Sequence, residues 1–311
     1  MRAARYYGPG DLRIEEVPDP KPSRGDVLVQ VECALTDGTD LKTFRRGHPL
    51  LLSEVPSPFG HEFCGFDVAT GKRVVAANSA PCGACRFCTR GRESLCENLL
   101  PLLNGAYAEL LVVPERIARV NLHPVPRSLQ SELAALMEPL ACALHATEGI
   151  ETGTTVAVLG PGPMGIMLCA CLRDAGATPV IMGGSPERRT LAQEFGAVPG
   201  DARDADIVIE ATGKPKGWRD AVRAVDRGGT VILFGGVQGE VELDAEKLHY
   251  DEVAVRGAFH HTPSTVRAAL AFLASGAYPW ERLLTHEVPL DGLPALFAEP
   301  PDGYLKAVVR P

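Results

Sequence analysis

The sequence predicts an α/β protein of two domains, the first rich in β-strand and the second built on a parallel sheet. Three observations carry this prediction. The chain has 311 residues, more than one average domain. About the first 120 residues hold short, Val-rich strand candidates separated by Gly, Pro and Asp. From Thr154 onward, apolar strands and helices alternate, which is the pattern of crossover units on a parallel sheet.

In chain order, VLVQVECAL, GKRVVAAN and AYAELLVVP read as strands. SELAALMEPLACALHATEG, Ser131 to Gly149, is Ala/Leu-rich and reads as one helix with Ser131 as its N-cap. TVAVLG is a buried strand, followed by the helix PMGIMLCACLRDAG, which ends at Gly176. The strand TPVIMGG leads into the helix PERRTLAQEFGA, with Pro186 in its first turn. DIVIEATG, GWRDAVRAVDRGG and TVILFGG continue the series as strand, helix and strand. STVRAALAFLASG is a further helix, EPPDG a surface turn, and LKAVVRP a closing strand.

Composition excludes several classes. The chain is 45% hydrophobic and 23% charged, ordinary for a globular protein able to bury a core without disulfides or metal. A formal charge of −8 leaves no excess of Lys and Arg for phosphates, so no nucleic-acid partner is expected. There is no run of about 18 apolar residues, and the opening MRAARYYGPGDLRIEEV lacks the apolar stretch of a signal peptide, so no membrane association is expected. Nine cysteines, an odd number, with five of them in apolar stretches, indicate a reducing compartment, the cytoplasm.

Two motifs carry chemistry. Cys82, Cys85, Cys88 and Cys96 are spaced C-x2-C-x2-C-x7-C. Four thiolates that close a tetrahedron make a structural zinc site rather than a catalytic one. An iron–sulfur cluster is the alternative, but the spacing does not match the common ferredoxin runs. The second motif is G-x-G-x-x-G at Gly160, Gly162 and Gly165, between an apolar strand and an apolar helix. Gly160 permits the turn, Gly162 admits a pyrophosphate to the helix N-terminus opened by Pro163 and Met164, and Gly165 lets helix and sheet approach. About 20 residues on, where NAD enzymes keep an acidic residue for the ribose hydroxyls, the chain has Gly183, Gly184 and Ser185. With no carboxylate to repel a 2′-phosphate, and with Ser185, Arg188 and Arg189 to bind one, NADP is expected over NAD. The plain alternative makes the two arginines a solvated helix face.

GHE at Gly60 to Glu62, the cysteine lobe, LMEPLACALHA and GPGPMG occur in one order. Together they resemble the zinc-containing medium-chain dehydrogenases of the alcohol dehydrogenase superfamily, especially the polyol, sugar and threonine branch. The resemblance covers nearly the whole chain. It implies a GroES-like catalytic domain over residues 1–123 and 264–311, with a zinc lobe at 81–97, and a Rossmann domain over 124–263. It also implies a homodimer or homotetramer.

In this family the catalytic zinc is held by a Cys before G-T/S-D, the His of GHE and the Glu of E-P-L. His61 and Glu138 match; the Cys position is Asp37, in ALTDGTD. A carboxylate is a legitimate but harder zinc ligand. The resemblance therefore implies Asp37, His61 and Glu138 as ligands, with Glu62 as a fourth or exchanging one, giving two zinc ions per chain. The competing reading is a site that has lost its metal. Zinc would act as a Lewis acid on the substrate oxygen while hydride leaves for the nicotinamide. Thr39 stands at the family's proton-relay position, and Asp40 would orient His61 through its other ring nitrogen. Beyond Thr39 the proton's exit stays open between water, the cofactor ribose and Lys42. Thr212 and Lys306 resemble positions near the cofactor, with a plain surface lysine as the alternative for Lys306. His260 and His261 read as a solvated loop.

The expected activity is hydride transfer between a sugar, polyol or cyclitol secondary alcohol and NADP. A simple secondary-alcohol or aldehyde dehydrogenase is the alternative within the enzymes. A non-catalytic nucleotide-binding homologue is the alternative outside them.

Overall fold

The computed structural model describes residues 1–48, 52, 54–200 and 205–311. The chain begins with β1 (Arg2–Gly8), β2 (Asp11–Glu16), β3 (Val27–Leu35), α1 (Gly38–Arg46), β4 (Ser57–Pro58), β5 (Glu62–Asp67) and β6 (Arg73–Ala76). It continues through β7 (Leu110–Val113), α2 (Glu115–Val120), β8 (Leu122–Pro124), α3 (Ser131–Ala134) and α4 (Met137–Thr147). Then come β9 (Thr155–Leu159), α5 (Pro163–Asp174), β10 (Thr178–Met182), α6 (Pro186–Glu194), β11 (Ala205–Glu210), α7 (Pro215–Ala224), β12 (Val225–Leu233), α8 (Ala245–Tyr250) and β13 (Ala254–Gly257). The chain closes with α9 (Pro263–Ala274), β14 (Leu284–Pro289), α10 (Leu293–Ala298) and β15 (Lys306–Arg310).

These elements form two compact units: Met1–Ala141 together with Thr262–Pro311, and Cys142–His261. The first unit runs past the boundary expected after residue 123. α3 packs on β3 and β5, and the Arg73 guanidinium on β6 donates to the carbonyls of Pro126 at 2.9 Å and Leu129 at 2.6 Å. That segment is thereby fastened to the β-rich unit.

The first unit holds a sheet in the order β14-β15-β3-β5-β6-β8, with β7 also paired to β3, and a small sheet β2-β1-β4. Its core includes Tyr6, Phe59, Tyr107 and Phe297, all buried. Each contributes about 1.5–3 kcal/mol by leaving water. The closing strand β15 enters beside β3, pairing Val308 with Leu35, and Leu35 pairs in turn with Glu62 of β5. Val308 and Leu35, 273 positions apart in the chain, thus become neighbours.

The helix expected from Ser131 to Gly149 is two helices. An unbroken helix would carry Pro139 in its interior, without an N–H and in collision with the preceding turn. The break at Ala135 and Leu136 moves Pro139 into the first turn of α4. Ser131 is not the N-cap, which is Gln130; its buried hydroxyl donates to Glu32.

The second unit is a five-stranded sheet in the order β10-β9-β11-β12-β13, parallel throughout. The chain passes from β9 to one side for β10, then to the other for β11. The carboxyl ends of β9 and β11 are therefore the switch point where ligands of such sheets bind. The helix read through Gly229 stops at Ala224, and Val225, 1% exposed, already pairs with Ala205. No helix among the described residues is long and apolar enough to cross a membrane.

Candidate functional site

The lobe between β6 and β7 brings one sulfur from each of Cys82, Cys85, Cys88 and Cys96 within 4.8 Å of the others. The Sγ atoms of Cys85 and Cys88 are 3.5 Å apart, and those of Cys82 and Cys88 4.0 Å. Four sulfurs about 2.3 Å from one ion at tetrahedral angles lie about 3.8 Å apart, so the set fits zinc. The backbone offers donors to the sulfurs of Cys82 and Cys96. The N–H of Cys85 donates to the sulfur of Cys82 at 3.4 Å, and those of Cys82 and Asn98 to the sulfur of Cys96 at 3.2 and 3.3 Å. The Ala84 N–H, the Asn98 side chain and the Cys85 N–H draw the Cys82 thiol down to about 6.

A second set stands where β3 runs into α1 and where β5 begins. One ligand atom from each of Asp37, His61 and Glu62 lies within 4.8 Å of the others. Asp37 is the N-cap of α1, and its Oδ1 accepts from the Asp40 N–H at 2.7 Å. Its Oδ2 is 3.8 Å from His61 Nε2. Burial would raise Asp37, but His61 and Lys306, with the Asp40 N–H and the Thr39 hydroxyl, hold its carboxyl below its ordinary value. His61 Nδ1 faces Asp40 Oδ1 at 3.3 Å, the contact expected of an orienting carboxylate. Two donors about 2.0–2.2 Å from one ion lie about 3.3–3.6 Å apart at tetrahedral angles, so a small side-chain shift brings Asp37 and His61 onto a shared ion.

The charges support a cation here. Burial alone would lower His61, but Asp40 and Asp37 overrule it and hold the imidazole well above its ordinary value. Burial pushes Glu62 well up, and the opposing charge of Lys306 does not cancel that. Burial, with Asp37 beside it, also raises Asp40. Such an excess of buried carboxylate is what a dication relieves. Glu62 Oε2 has no hydrogen bond of good geometry, although Lys306 stands close.

Glu138 is buried in the first turn of α4, where the helix dipole favours a carboxylate. Its charge reaches His61 and Glu62, while the ligand atoms grouped within 4.8 Å around His61 are those of Asp37 and Glu62. Lys306 is neither a surface lysine nor aimed at solvent: it is 1% exposed and paired with Glu62. Sequence reasoning missed Tyr107, whose buried hydroxyl donates to Asp40. Its only trace is the alternation of AYAEL, which marks a strand and says nothing of what a hydroxyl meets.

In the second unit, Gly162 is the N-cap of α5, and a Cβ there would meet open space, as a ligand-facing loop requires. A Cβ at Gly165 would stand 1.9 Å from the Gly160 carbonyl oxygen, the close helix–strand approach the motif predicts. Gly160, at φ +107°, has no room either, because Thr212 of the loop after β11 lies against it. Pro163 and Met164 open α5. At the end of β10, Gly183 and Gly184 have φ of +75° and +64°. Arg189 donates to the Gly184 carbonyl at 2.8 Å. Ser185 caps α6, accepting from the Arg188 N–H and donating to Glu187, so its hydroxyl already has work within the loop. His260 and His261 are 8% and 3% exposed, with ring centroids 3.9 Å apart and planes tilted by 31°, and do not form the solvated loop expected of them.

Two family profiles match the chain: the alcohol dehydrogenase GroES-like domain over residues 23–127 and the zinc-binding dehydrogenase over residues 200–275. The erythritol/L-threitol dehydrogenase of Mycolicibacterium smegmatis is 30% identical, over 93% of this chain and 91% of that protein. An L-threonine 3-dehydrogenase of Stenotrophomonas maltophilia is 29% identical over 89% of each. A Sinorhizobium meliloti 1021 protein assigned as a zinc-binding dehydrogenase, solved with NADP bound, superposes with a TM-score of 0.86. It is 32% identical, covering 100% of this chain and 99% of that one. The 2R,3R-butanediol dehydrogenase of Bacillus subtilis also superposes at 0.86, with 26% identity and the same coverage.

Proposed function

The chain belongs to the zinc-containing medium-chain dehydrogenases of the alcohol dehydrogenase superfamily, and on that premise we propose that it transfers a hydride between a secondary alcohol of a polyhydroxylated small molecule and NADP. The observation that carries the reading is the setting of His61. Its Nδ1 is engaged by Asp40, and its Nε2 is turned toward Asp37 at 3.8 Å. With a zinc ion in place of the proton on Nε2, an imidazole oriented in that way would be a metal ligand.

Asp37 and His61 would hold the catalytic zinc, with Glu62 as an exchanging ligand and Glu138 supplying negative charge nearby. Cys82, Cys85, Cys88 and Cys96 would hold a second, structural zinc. When bound, the catalytic ion supplies Lewis acidity toward the substrate hydroxyl, and NADP supplies the hydride acceptor. Thr39 would relay the proton leaving that hydroxyl, accepting it as its own hydroxyl proton passes on to water, the cofactor ribose or Lys42. Asp40 keeps the His61 ring from turning. Lys306, 2.8 Å from Oε1 and 2.7 Å from Oε2 of Glu62, would hold that side chain and so limit how strongly it competes with substrate.

Gly162 and the α5 N-terminus would receive the pyrophosphate. NADP preference is supported by the lack of an acidic side chain at Gly183 and Gly184 and by Arg188 and Arg189 at the start of α6. Substrates with several hydroxyls suit a site of hard oxygen donors, and the erythritol/L-threitol and butanediol dehydrogenases among the similar proteins act on diols and polyols. Assembly as a homodimer or homotetramer and residence in the cytoplasm belong to the same reading.

The test is a panel of polyols, sugars, L-threonine and simple alcohols, with NADP and with NAD, followed at 340 nm on protein of known zinc content. Turnover of a polyol with NADP at two zinc ions per chain is expected. Silence of the fully zinc-loaded protein across the panel overturns the reading.

A further inference from the structure

We propose that Tyr107 is a positioning residue of the metal centre, fixing Asp40 so that Asp40 fixes the ring of His61. The inference rests on the reading of Asp37 and His61 as zinc ligands.

Tyr107 is 0% exposed, and its hydroxyl donates to Asp40 Oδ2. The Leu35 carbonyl is a second acceptor at 3.1 Å. One hydroxyl has one proton, and a carboxylate takes it in preference to a neutral carbonyl. Asp40 Oδ2 also accepts from the Asp37 N–H at 3.3 Å, while Oδ1 faces His61 Nδ1 at 3.3 Å. With both oxygens engaged, the carboxylate cannot swing, and the imidazole is left presenting Nε2 to Asp37.

The tyrosine ring is itself held. Phe59 and Phe297 lie 6.0 and 6.2 Å away between centroids. Its edge presses on Gly60, where a Cβ would stand 2.5 Å from Cδ2. Gly60 immediately precedes His61 in the chain, so one aromatic side chain braces the backbone of this ligand and, through Asp40, its ring.

The experiment counts zinc in the full chain after dialysis against a graded chelator series. The four-cysteine ion in the same molecule is the internal control. In Tyr107→Phe the Asp37–His61 ion is expected to leave at chelator concentrations about ten- to a hundredfold lower than in the wild type, with the four-cysteine ion unmoved. Tyr6→Phe is the matched control. Its hydroxyl, buried in the same core, donates to the Thr43 carbonyl at 3.0 Å, and its ring stacks on Phe59. That variant is expected to keep both ions as the wild type does. In an Asp40→Ala background, Tyr107→Phe is expected to add no further loss. Wild-type retention in Tyr107→Phe, equal loss in Tyr6→Phe, or additive loss in the double variant each overturns the proposal. A wild-type chain that never holds more than the four-cysteine zinc overturns the metal-centre reading itself, and this inference falls with it.

Discussion

The ammonium of Lys306 lies 2.8 Å from Oε1 and 2.7 Å from Oε2 of Glu62, and the two side chains are 1% and 0% exposed. A buried pair of this kind adds little net stability over an apolar pair of the same shape, but breaking it is expensive, because the remaining charge has neither water nor partner. Lys306→Met is therefore expected to lose about 3–5 kcal/mol in denaturant unfolding of zinc-loaded protein. Lys306→Met combined with Glu62→Gln is expected to recover most of that loss. A double variant as unstable as the sum of its parts would show that the two groups are not coupled.

Asp37 does two things, and they can be separated. Asp37→Asn keeps an oxygen to accept the Asp40 N–H, so folding stability is expected to stay within about 1 kcal/mol of the wild type. Zinc content is expected to fall from two ions to one per chain, because an amide is a far weaker ligand than a carboxylate. Asp37→Ala is expected to lose the same ion and, in addition, about 1 kcal/mol for the cap. Elemental analysis and urea unfolding measure the two effects independently.

Gly183 can accept a side chain, since a Cβ there meets nothing within 4 Å, although its φ of +75° favours Asp or Asn among the non-glycine residues. Gly183→Asp places a carboxylate where a 2′-phosphate would be repelled. The ratio of kcat/KM for NADP to that for NAD is expected to fall at least about tenfold, a change of about 1.4 kcal/mol in discrimination. An unchanged ratio would remove the basis for the NADP preference.

Glu132 and Arg310 set a pH dependence outside the site. Burial would raise Glu132, but its own backbone N–H and the Arg310 guanidinium overrule burial and hold the carboxyl below its ordinary value. A carboxyl depressed in the folded state stabilises the protein above its unfolded pKa of about 4.3, and that contribution is lost as pH falls through the folded value. Glu132→Gln is expected to cost about 1 kcal/mol or less at pH 7, since Arg310 is 36% exposed and solvent screens the pair. The difference from the wild type is expected to vanish at acid pH. A difference that grows on acidification would reverse the assigned sign.

Local spacing and periodicity were enough to find the four-cysteine lobe, the glycine loop with its flanking strand and helix, and the strand–helix alternation of the second unit. Each of these is a short-range pattern whose geometry follows from a few neighbouring residues. His61, Asp37 and Asp40 were legible only through the resemblance of GHE and ALTDGTD to motifs of the family, because no spacing or periodicity of this chain marks them as one set. The helix over Ser131–Gly149 was misread at its middle: Ala and Leu propensity outweighed Pro139, although the missing N–H forces the break.

What the sequence by itself determined is the inventory: which residues can ligate a metal, which loop can receive a pyrophosphate, and where the parallel sheet begins. Only the tertiary structure decided that β15, from the far end of the chain, lies beside β3 and delivers Lys306 to Glu62. It likewise decided that Tyr107 reaches Asp40. The physical reason is the same in each case. Strand pairing between distant segments is chosen by burial summed over a whole sheet, and no local pattern in the chain records which side chains that choice will bring face to face.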